Sequence, residues 1–360
     1  MSSTLPFTKL VPETEVAILS VLRACHLTKS VQSGLADVDT MTKPDKSPVT
    51  VADLAAQSLI SLHLLEHFKD EIIGEEDTTE LRANDTLRSK VIGLVNDGFG
   101  REEGWGKGKA WSEKEILDAV DAGSAEGGSK GRFWTISTLT LVVDGTSGFI
   151  RKQQYAVCLA LIVDGIVELG VIGCPNLGSK PAKLGEEIMP NGEGVLMVAI
   201  RGEGSYSRPL SSATYERIHL PPTADAETLT FLESVEAGHS AHDIQKKIGE
   251  LLGVKRPSLR MDSQAKYACL ARGEGGVYLR IPTKYSGGKE YNEKIWDHAG
   301  GSLLVHESGG ICTDMHGQPL NFGLGRTLKG NEGIVAAGRE DHPKAVEAVR
   351  RAVASVQAKQ

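Results

Sequence analysis

Between Phe133 and Ile200 the chain carries a series of short apolar, β-branched segments separated by turn formers. The segments are Phe133 to Val143, Tyr155 to Ile162, Val167 to Ile172 and Val195 to Ile200. Asp164-Gly165, Pro175-Asn176 and Gly-rich stretches lie between them. Branched side chains suit a pleated surface, and runs this short leave room only for tight returns, so the pattern predicts a meander of antiparallel strands. Helical spacing precedes it. Ile18, Val21, Leu22 and Cys25 share one side of Glu13 to Leu27, and Val51, Leu54, Ala55, Leu62 and Leu65 recur along Thr50 to Phe68, with Pro48 just ahead. Ile72-Ile73-Gly74 reads as a short strand ending in a turn. Ser112 to Glu115 has capping-box spacing and opens a helix through Val120. The Gly/Ser-rich stretch Asp121 to Arg132 reads as a mobile loop, and Pro209 to Pro222 as a connection. Beyond it strands and helices alternate: Thr228 to Val235, His242 to Leu252, Leu259 to Asp262, Gln264 to Ala271, Val277 to Ile281, Ile295 to Glu307, Gly333 to Ala336 and His342 to Val353. The expected architecture is an α+β half over residues 1–215 joined to an α/β half over 216–360.

Composition narrows the function classes. A length of 360 residues fits two domains or one large one, and 24% charged residues argue against long disordered stretches. Forty basic against forty-seven acidic residues leave a net charge of −7, the reverse of the bias expected of a binder of nucleic acid polymers or anionic membranes. An anionic ligand would therefore need local cations, from side chains or bound metals. The five cysteines are far apart and odd in number, which disfavours a disulfide framework or a Cys-based zinc site. The N-terminus shows no secretory pattern, and the longest apolar stretch, Tyr155 to Val163, is too short to span a bilayer. The expectation is a soluble cytoplasmic protein.

Four acidic clusters fall at the ends of expected elements: Ser47 to Asp53, Gly74-Glu75-Glu76-Asp77, Val143-Asp144-Gly145-Thr146, and Trp296-Asp297-His298-Ala299-Gly300-Gly301. Carboxylates drawn from several segments suit Mg²⁺, and helix N-termini beside them would add donors for a phosphate. Each cluster alone has an ordinary explanation as a turn, a solvated loop or a cap; their joint occurrence in this order carries the weight. Competing motifs fail. No Gly-x-x-x-x-Gly-Lys-Ser/Thr or His-Glu-x-x-His run is present. Gly127 to Gly131 has the letters of a nucleophile elbow but lies in a loop, and Gly104 to Gly108 has the wrong spacing for a phosphate loop. His298 fits a packing or hydrogen-bonding role better than a ligand role, and His306, Cys312 and His316 are too loosely arranged for zinc.

Together these segments resemble the inositol monophosphatase superfamily of Mg²⁺-dependent, Li⁺-sensitive phosphatases, over nearly the whole chain. SPVTVADLAAQ (47–57), IIGEE (72–76), GRFWT (131–135), DGTSGFIR (144–151), QYAVCLALI (154–162), IGCPNL (172–177) and IWDHA (295–299) carry the likeness. SVEAGHS (234–240), DSQAKY (262–267) and YLR (278–280) resemble the substrate segments of its fungal and plant bisphosphate nucleotidase branch. The resemblance implies a layered α-β-α-β-α sugar-phosphatase-like fold of two domains and two or three Mg²⁺ ions. Glu75, Asp144, Asp297 and the Val143 carbonyl would be metal ligands. Asp53 and Thr146 would be a catalytic pair orienting the attacking water. Gly145, Thr146, His239, Ser263, Lys266, Arg280 and Asp297 would contact substrate. Lys266 and Arg280 supply charge for a second phosphate, which an inositol monophosphate lacks. The implied reactions convert adenosine 3',5'-bisphosphate to AMP and 3'-phosphoadenylyl sulfate to adenosine 5'-phosphosulfate. Roles in sulfur assimilation and salt tolerance follow by the same route, as does a monomer acting on a small molecule.

One segment departs from the pattern. The family writes Trp-Thr, an apolar residue, then Asp-Pro-Ile-Asp-Gly-Thr. Here Trp134-Thr135 is followed by Ile136 to Val143, so Leu141 stands where a metal-bridging Asp is expected, and the spacing from Trp134 is four residues too long. Loss of that carboxylate should weaken metal binding and turnover, at about 3–4 kcal/mol per lost charge stabiliser. The alternatives are an impaired or silent nucleotide-binding homologue, another carboxylate such as Asp121 moving in, or a misplaced exon boundary over Ile136 to Val143, which the transcript sequence separates. An inositol phosphate phosphatase is the alternative within the same chemistry.

Overall fold

A computed structural model of the chain describes residues 5–35, 47–100, 109–138, 149–183, 186–190, 192–222, 229–235, 241–261, 264–288 and 290–358. Two long helices, α1 (Val11–Ser33) and α2 (Ser47–His67), lead into strand β1 (Glu71–Ile73). Helices α3 (Thr79–Ala83), α4 (Asp85–Gly100) and α5 (Glu113–Asp121) follow. The expected capping box starts α5: the Ser112 hydroxyl accepts from the Glu115 N–H, and the Glu115 carboxylate accepts from the Ser112 N–H at 2.8 Å. Pro48 lies inside the first turn of α2 rather than ahead of it, where its missing N–H costs nothing.

The predicted meander forms. Strands β2 (Arg132–Ser137), β3 (Val157–Val163), β4 (Ile166–Cys174), β5 (Val195–Ile200), β6 (Gly204–Pro209) and β7 (Glu216–Ile218) pair antiparallel in sequence order, and β1 adds parallel to β2. Alternation divides β3 between two cores: Val157, Leu159 and Leu161 face one, Cys158, Ala160 and Ile162 the other. A bulge shifts the β3–β4 register from Leu161↔Leu169 to Ile162↔Val167, so Val167 and Leu169 point to opposite faces although they are two apart.

The second sheet has the order β11-β12-β10-β8-β9, from β8 (Phe231–Glu233), β9 (Leu259–Arg260), β10 (Val277–Arg280), β11 (Gly310–Thr313) and β12 (Ile334–Gly338). Helices α7 (Ala265–Ala271) and α8 (Ala299–Glu307) lie between the sheets. Helices α6 (His242–Leu252) and α9 (His342–Gln357) cover the outer face of the second sheet, and α1, α2, α4 and α5 cover that of the first. The five layers run helix, sheet, helix, sheet, helix, as the resemblance implied. Gly170 on β4 lets helix α8 rest directly on the strand, since a Cβ added there would lie 2.9 Å from the Gly300 Cα.

Several elements differ from the sequence reading. Helix α4 escapes it because its buried stripe, Leu87, Val91 and Val95, is narrow and diluted by Gly93 and Gly98. The supposed connection Pro209 to Pro222 contains β7, whose Glu216 and Arg217 are exposed; charge on an edge strand carries no apolar signal and discourages further pairing. Ile295 to Glu307 is not one element but a 3₁₀ turn (Ile295–Asp297) followed by α8. The stretch from Asp121 to Arg132 is not a free loop. The Ala125 N–H bonds the Ile72 carbonyl, and Arg326 holds the Gly123 and Ala125 carbonyls. All five cysteines are free and buried, and among the described residues no helix is long and apolar enough to cross a membrane.

Candidate active site

Asp53 lies on α2, fully buried, one turn ahead of Gln57 on the same face. Gln57 determines what faces Asp53. Its amide donates to the Glu76 carbonyl at 2.9 Å, and its oxygen accepts from the Glu76 N–H at 3.0 Å. This two-point clamp fastens the chain leaving β1 onto α2 and brings Glu75 and Glu76 beside Asp53. The fit is close enough that a Cβ on Gly74 would come within 2.5 Å of the Gln57 carboxamide. The third arm is Asp297, at the end of the 3₁₀ turn, whose Oδ1 accepts from the Ser137 hydroxyl at 3.3 Å where β2 ends.

The electrostatics show three segments converging. Burial raises the Asp53 pKa well above the carboxylate range, Glu76 and Glu75 raise it further, and Thr138 pulls weakly the other way. Burial, then Asp297 and Glu76, do the same to Glu75, with the Trp296 indole and Lys294 opposing. Glu76 is held at about 7 by burial and by Asp77 and Glu80. Asp297 is raised chiefly by burial, with His298 and Arg280 pulling down and Glu293 pushing up. Neither Asp53 oxygen has a hydrogen-bond partner in good geometry among the described residues, and neither has the Trp296 indole N–H.

Buried, like-charged oxygens without partners fit a divalent cation. Hard oxygen donors suit Mg²⁺, and its charge would remove the repulsion that each carboxylate feels from the others. The described residues do not complete a cage: no group of three or more His, Cys, Asp or Glu among them is set to hold a metal ion. Asp144 and the Val143 carbonyl, assigned as ligands by resemblance, lie outside the described residues, as do Leu141, Gly145, Thr146, His239 and Ser263.

Lys266 and Arg280 are not ordinary surface charges. Lys266 is 2% exposed, with Nζ bonded to the Met261 carbonyl at 3.1 Å and 5.7 Å from the Tyr278 ring centre. Arg280 pairs with Glu293 at 2.7 Å, and Glu293 also meets His298 Nε2 at 3.2 Å. His298 Nδ1 bonds the Tyr267 hydroxyl at 2.8 Å, which bears out its hydrogen-bonding role. The idea that Asp121 replaces the missing carboxylate does not hold. Asp121 accepts from the Thr78 hydroxyl at 2.6 Å and pairs with Arg82 at 2.7 Å at the end of α5. Sequence reasoning assigned no role to Gln57, Ser137, Glu293 or Arg326. The spacing of Gln57 from Asp53 placed both on one helix face; nothing local marked the others.

Comparison with known proteins agrees with this layout. The profile of the inositol monophosphatase family matches residues 9–354. A 3'(2'),5'-bisphosphate nucleotidase of Emericella nidulans is 44% identical, aligned over 94% of this chain and 97% of the relative. One from Schizosaccharomyces pombe is 43% identical over 93% and 94%, and one from Arabidopsis thaliana 40% identical over 95% and 96%. Among solved structures the IMPase of Thermotoga maritima superposes with a TM-score of 0.57 at 17% identity, covering 96% of this chain and 100% of its own, which shows the shared fold. With helices, sheets and acidic segments arranged in this order and a family profile spanning nearly its whole length, the chain belongs to the inositol monophosphatase family.

Proposed function

We propose that the chain is a Mg²⁺-dependent phosphatase that removes the 3'-phosphate of adenosine 3',5'-bisphosphate to give AMP, and acts likewise on 3'-phosphoadenylyl sulfate. The observation that carries this reading is Asp53, wholly buried beside Glu75 and Glu76 with neither oxygen in a well-formed hydrogen bond among the described residues. A buried carboxylate of this kind calls for a bound cation or a proton to satisfy it. The nucleotidase names of the relatives support the choice of substrate.

In this reading Glu75, Asp144, Asp297 and the Val143 carbonyl would hold two or three ions. When bound, these polarise the phosphoryl oxygens and make water a better nucleophile. Asp53 and Thr146 would orient the attacking water as a hydrogen-bonded pair and assist its proton transfer. Gly145, Thr146, His239 and Ser263 position the nucleotide. Lys266, with Arg280 braced by Glu293, brings buried positive charge for the phosphate that stays. The reading also carries Li⁺ inhibition, a cytoplasmic monomer, and roles in sulfur assimilation and salt tolerance. The reading keeps the division into parts 1–215 and 216–360, with β7 at the edge of the first sheet.

The test is phosphate release from adenosine 3',5'-bisphosphate with Mg²⁺, beside inositol 1-phosphate. Release at full rate from Asp297→Ala would contradict the metal assignment. Leu141 favours a second reading, a catalytically silent nucleotide binder. Calorimetric binding without release at high Mg²⁺, and release restored when the Asp-Pro-Ile-Asp stretch is rebuilt, would establish it.

A further inference from the structure

Arg326 lies on the connection between β11 and β12 and reaches the chain on both sides of the candidate cation site. Its Nη2 donates to the Gly74 carbonyl at 2.6 Å, immediately before Glu75. Its Nη1 donates to the carbonyls of Gly123 and Ala125 at 3.0 and 2.8 Å, which back the same strand end. The guanidinium lies 4.9 Å from the Trp296 ring centre, immediately before Asp297. Its main chain continues the link: the Arg326 carbonyl accepts from the Ile295 N–H at 3.2 Å, Lys294 bridges Thr327, and the Leu328 N–H donates to the Glu293 carbonyl at 2.8 Å.

We propose that Arg326 is a positioning residue that fixes the arm bearing Glu75 relative to the arm bearing Asp297, and so sets the geometry in which these carboxylates meet a divalent cation. The proposal rests on the metal reading above. The three side-chain acceptors are carbonyls, so this cation organises the acidic arms through their backbone and spends none of those bonds on a carboxylate. A planar guanidinium can fork between three carbonyls while stacking on an indole; an ammonium cannot do both. Supporting groups of this kind typically alter metal affinity by about 10–100-fold when removed.

The test uses the full chain with Mn²⁺ as a paramagnetic stand-in for Mg²⁺, free ion being followed by EPR. The variants are Arg326→Met, Arg326→Lys and Lys29→Met. Lys29 is a comparable clamp on the carbonyls of Pro175 and Gly192, at 2.8 and 3.1 Å, without a link to either acidic arm. Arg326→Met should weaken Mn²⁺ binding by about 10-fold or more and raise the Mg²⁺ needed for half-maximal phosphate release in parallel. The nucleotide KM at saturating metal should stay within about two-fold of wild type, and Arg326→Lys should recover part of the loss. Lys29→Met should lower the thermal midpoint and leave Mn²⁺ affinity alone. If Arg326→Met binds Mn²⁺ like wild type while its midpoint falls, the residue is merely structural and the proposal fails. Should Arg326→Met not fold, Arg326→Lys decides: unchanged affinity overturns the proposal, weakened affinity with unchanged turnover at saturating metal upholds it. Wild-type chain that binds no Mn²⁺ would instead overturn the metal reading itself.

Discussion

Two sets of buried carboxylates are treated in opposite ways. Around Glu293 the acid is answered: burial alone would raise its pKa, but Arg280 and His298 outweigh that and hold it at about 2. The Arg272–Glu274 pair is similarly complete, at 2.8 Å with side chains 2% and 1% exposed. Around Asp53 and Glu75 most charged neighbours are other acids, which push both pKa values upward, and Lys294 opposes them as the smallest influence on Glu75. The first arrangement satisfies its charges within the protein and reads as structure. The second stores repulsion that only an added cation or protons relieve, and reads as a site.

The comparison can be broken most directly at Asp53. Asp53→Asn should reduce phosphate release by about 10²–10⁴-fold, the range for a group that assists proton transfer, while metal-free stability holds or rises. A loss of stability equal to the loss of activity would erase the contrast. Glu274→Ala should do the reverse, lowering unfolding free energy in denaturant by about 3–5 kcal/mol because a buried Arg272 is left uncompensated. Steady-state turnover of the folded fraction should remain near wild type.

Proton linkage sharpens the contrast with a smaller effect. Glu76 is raised from an ordinary 4.5 to about 7, so its contribution to metal-free stability is full below about pH 4.5 and disappears as pH rises through about 7. Glu293 is lowered to about 2, so its contribution is present above about pH 4.5 and lost as pH falls through about 2. Since Glu76 is only half-buried, its share should be about 1–3 kcal/mol. Thermal midpoints of the metal-free chain between pH 4.5 and 8 should decline on this account and be restored by Mg²⁺; a Mg²⁺-insensitive profile would count against the site. The smallest effect belongs to Asp121, paired with Arg82 at a half-exposed position. Asp121→Asn should shift stability by about 1 kcal/mol or less and leave turnover intact, in keeping with its exclusion from the site.

Legibility followed the range of the interactions. The meander, the α5 capping box and the helices α1, α2 and α6 rest on signals within a dozen or so residues, and they appear where periodicity and turn chemistry put them. Helix α4 and strand β7 were hidden, one by a glycine-diluted stripe and one by a charged edge. In the site, the acidic segments could be read as candidates because carboxylates at element ends are visible in any sequence. Their convergence could not, and neither could Arg326, which bonds residues 201 to 252 positions away.

Residue type and local spacing alone account for most of the elements, the acidic segments and the family likeness. The folded arrangement leaves Asp53 without a well-formed hydrogen bond among the described residues, gives Glu293 two partners and turns Asp121 to Arg82. Whether a carboxylate is answered by a cation or faced by another acid depends on which distant segments the layers press together, and an individual residue carries no record of that.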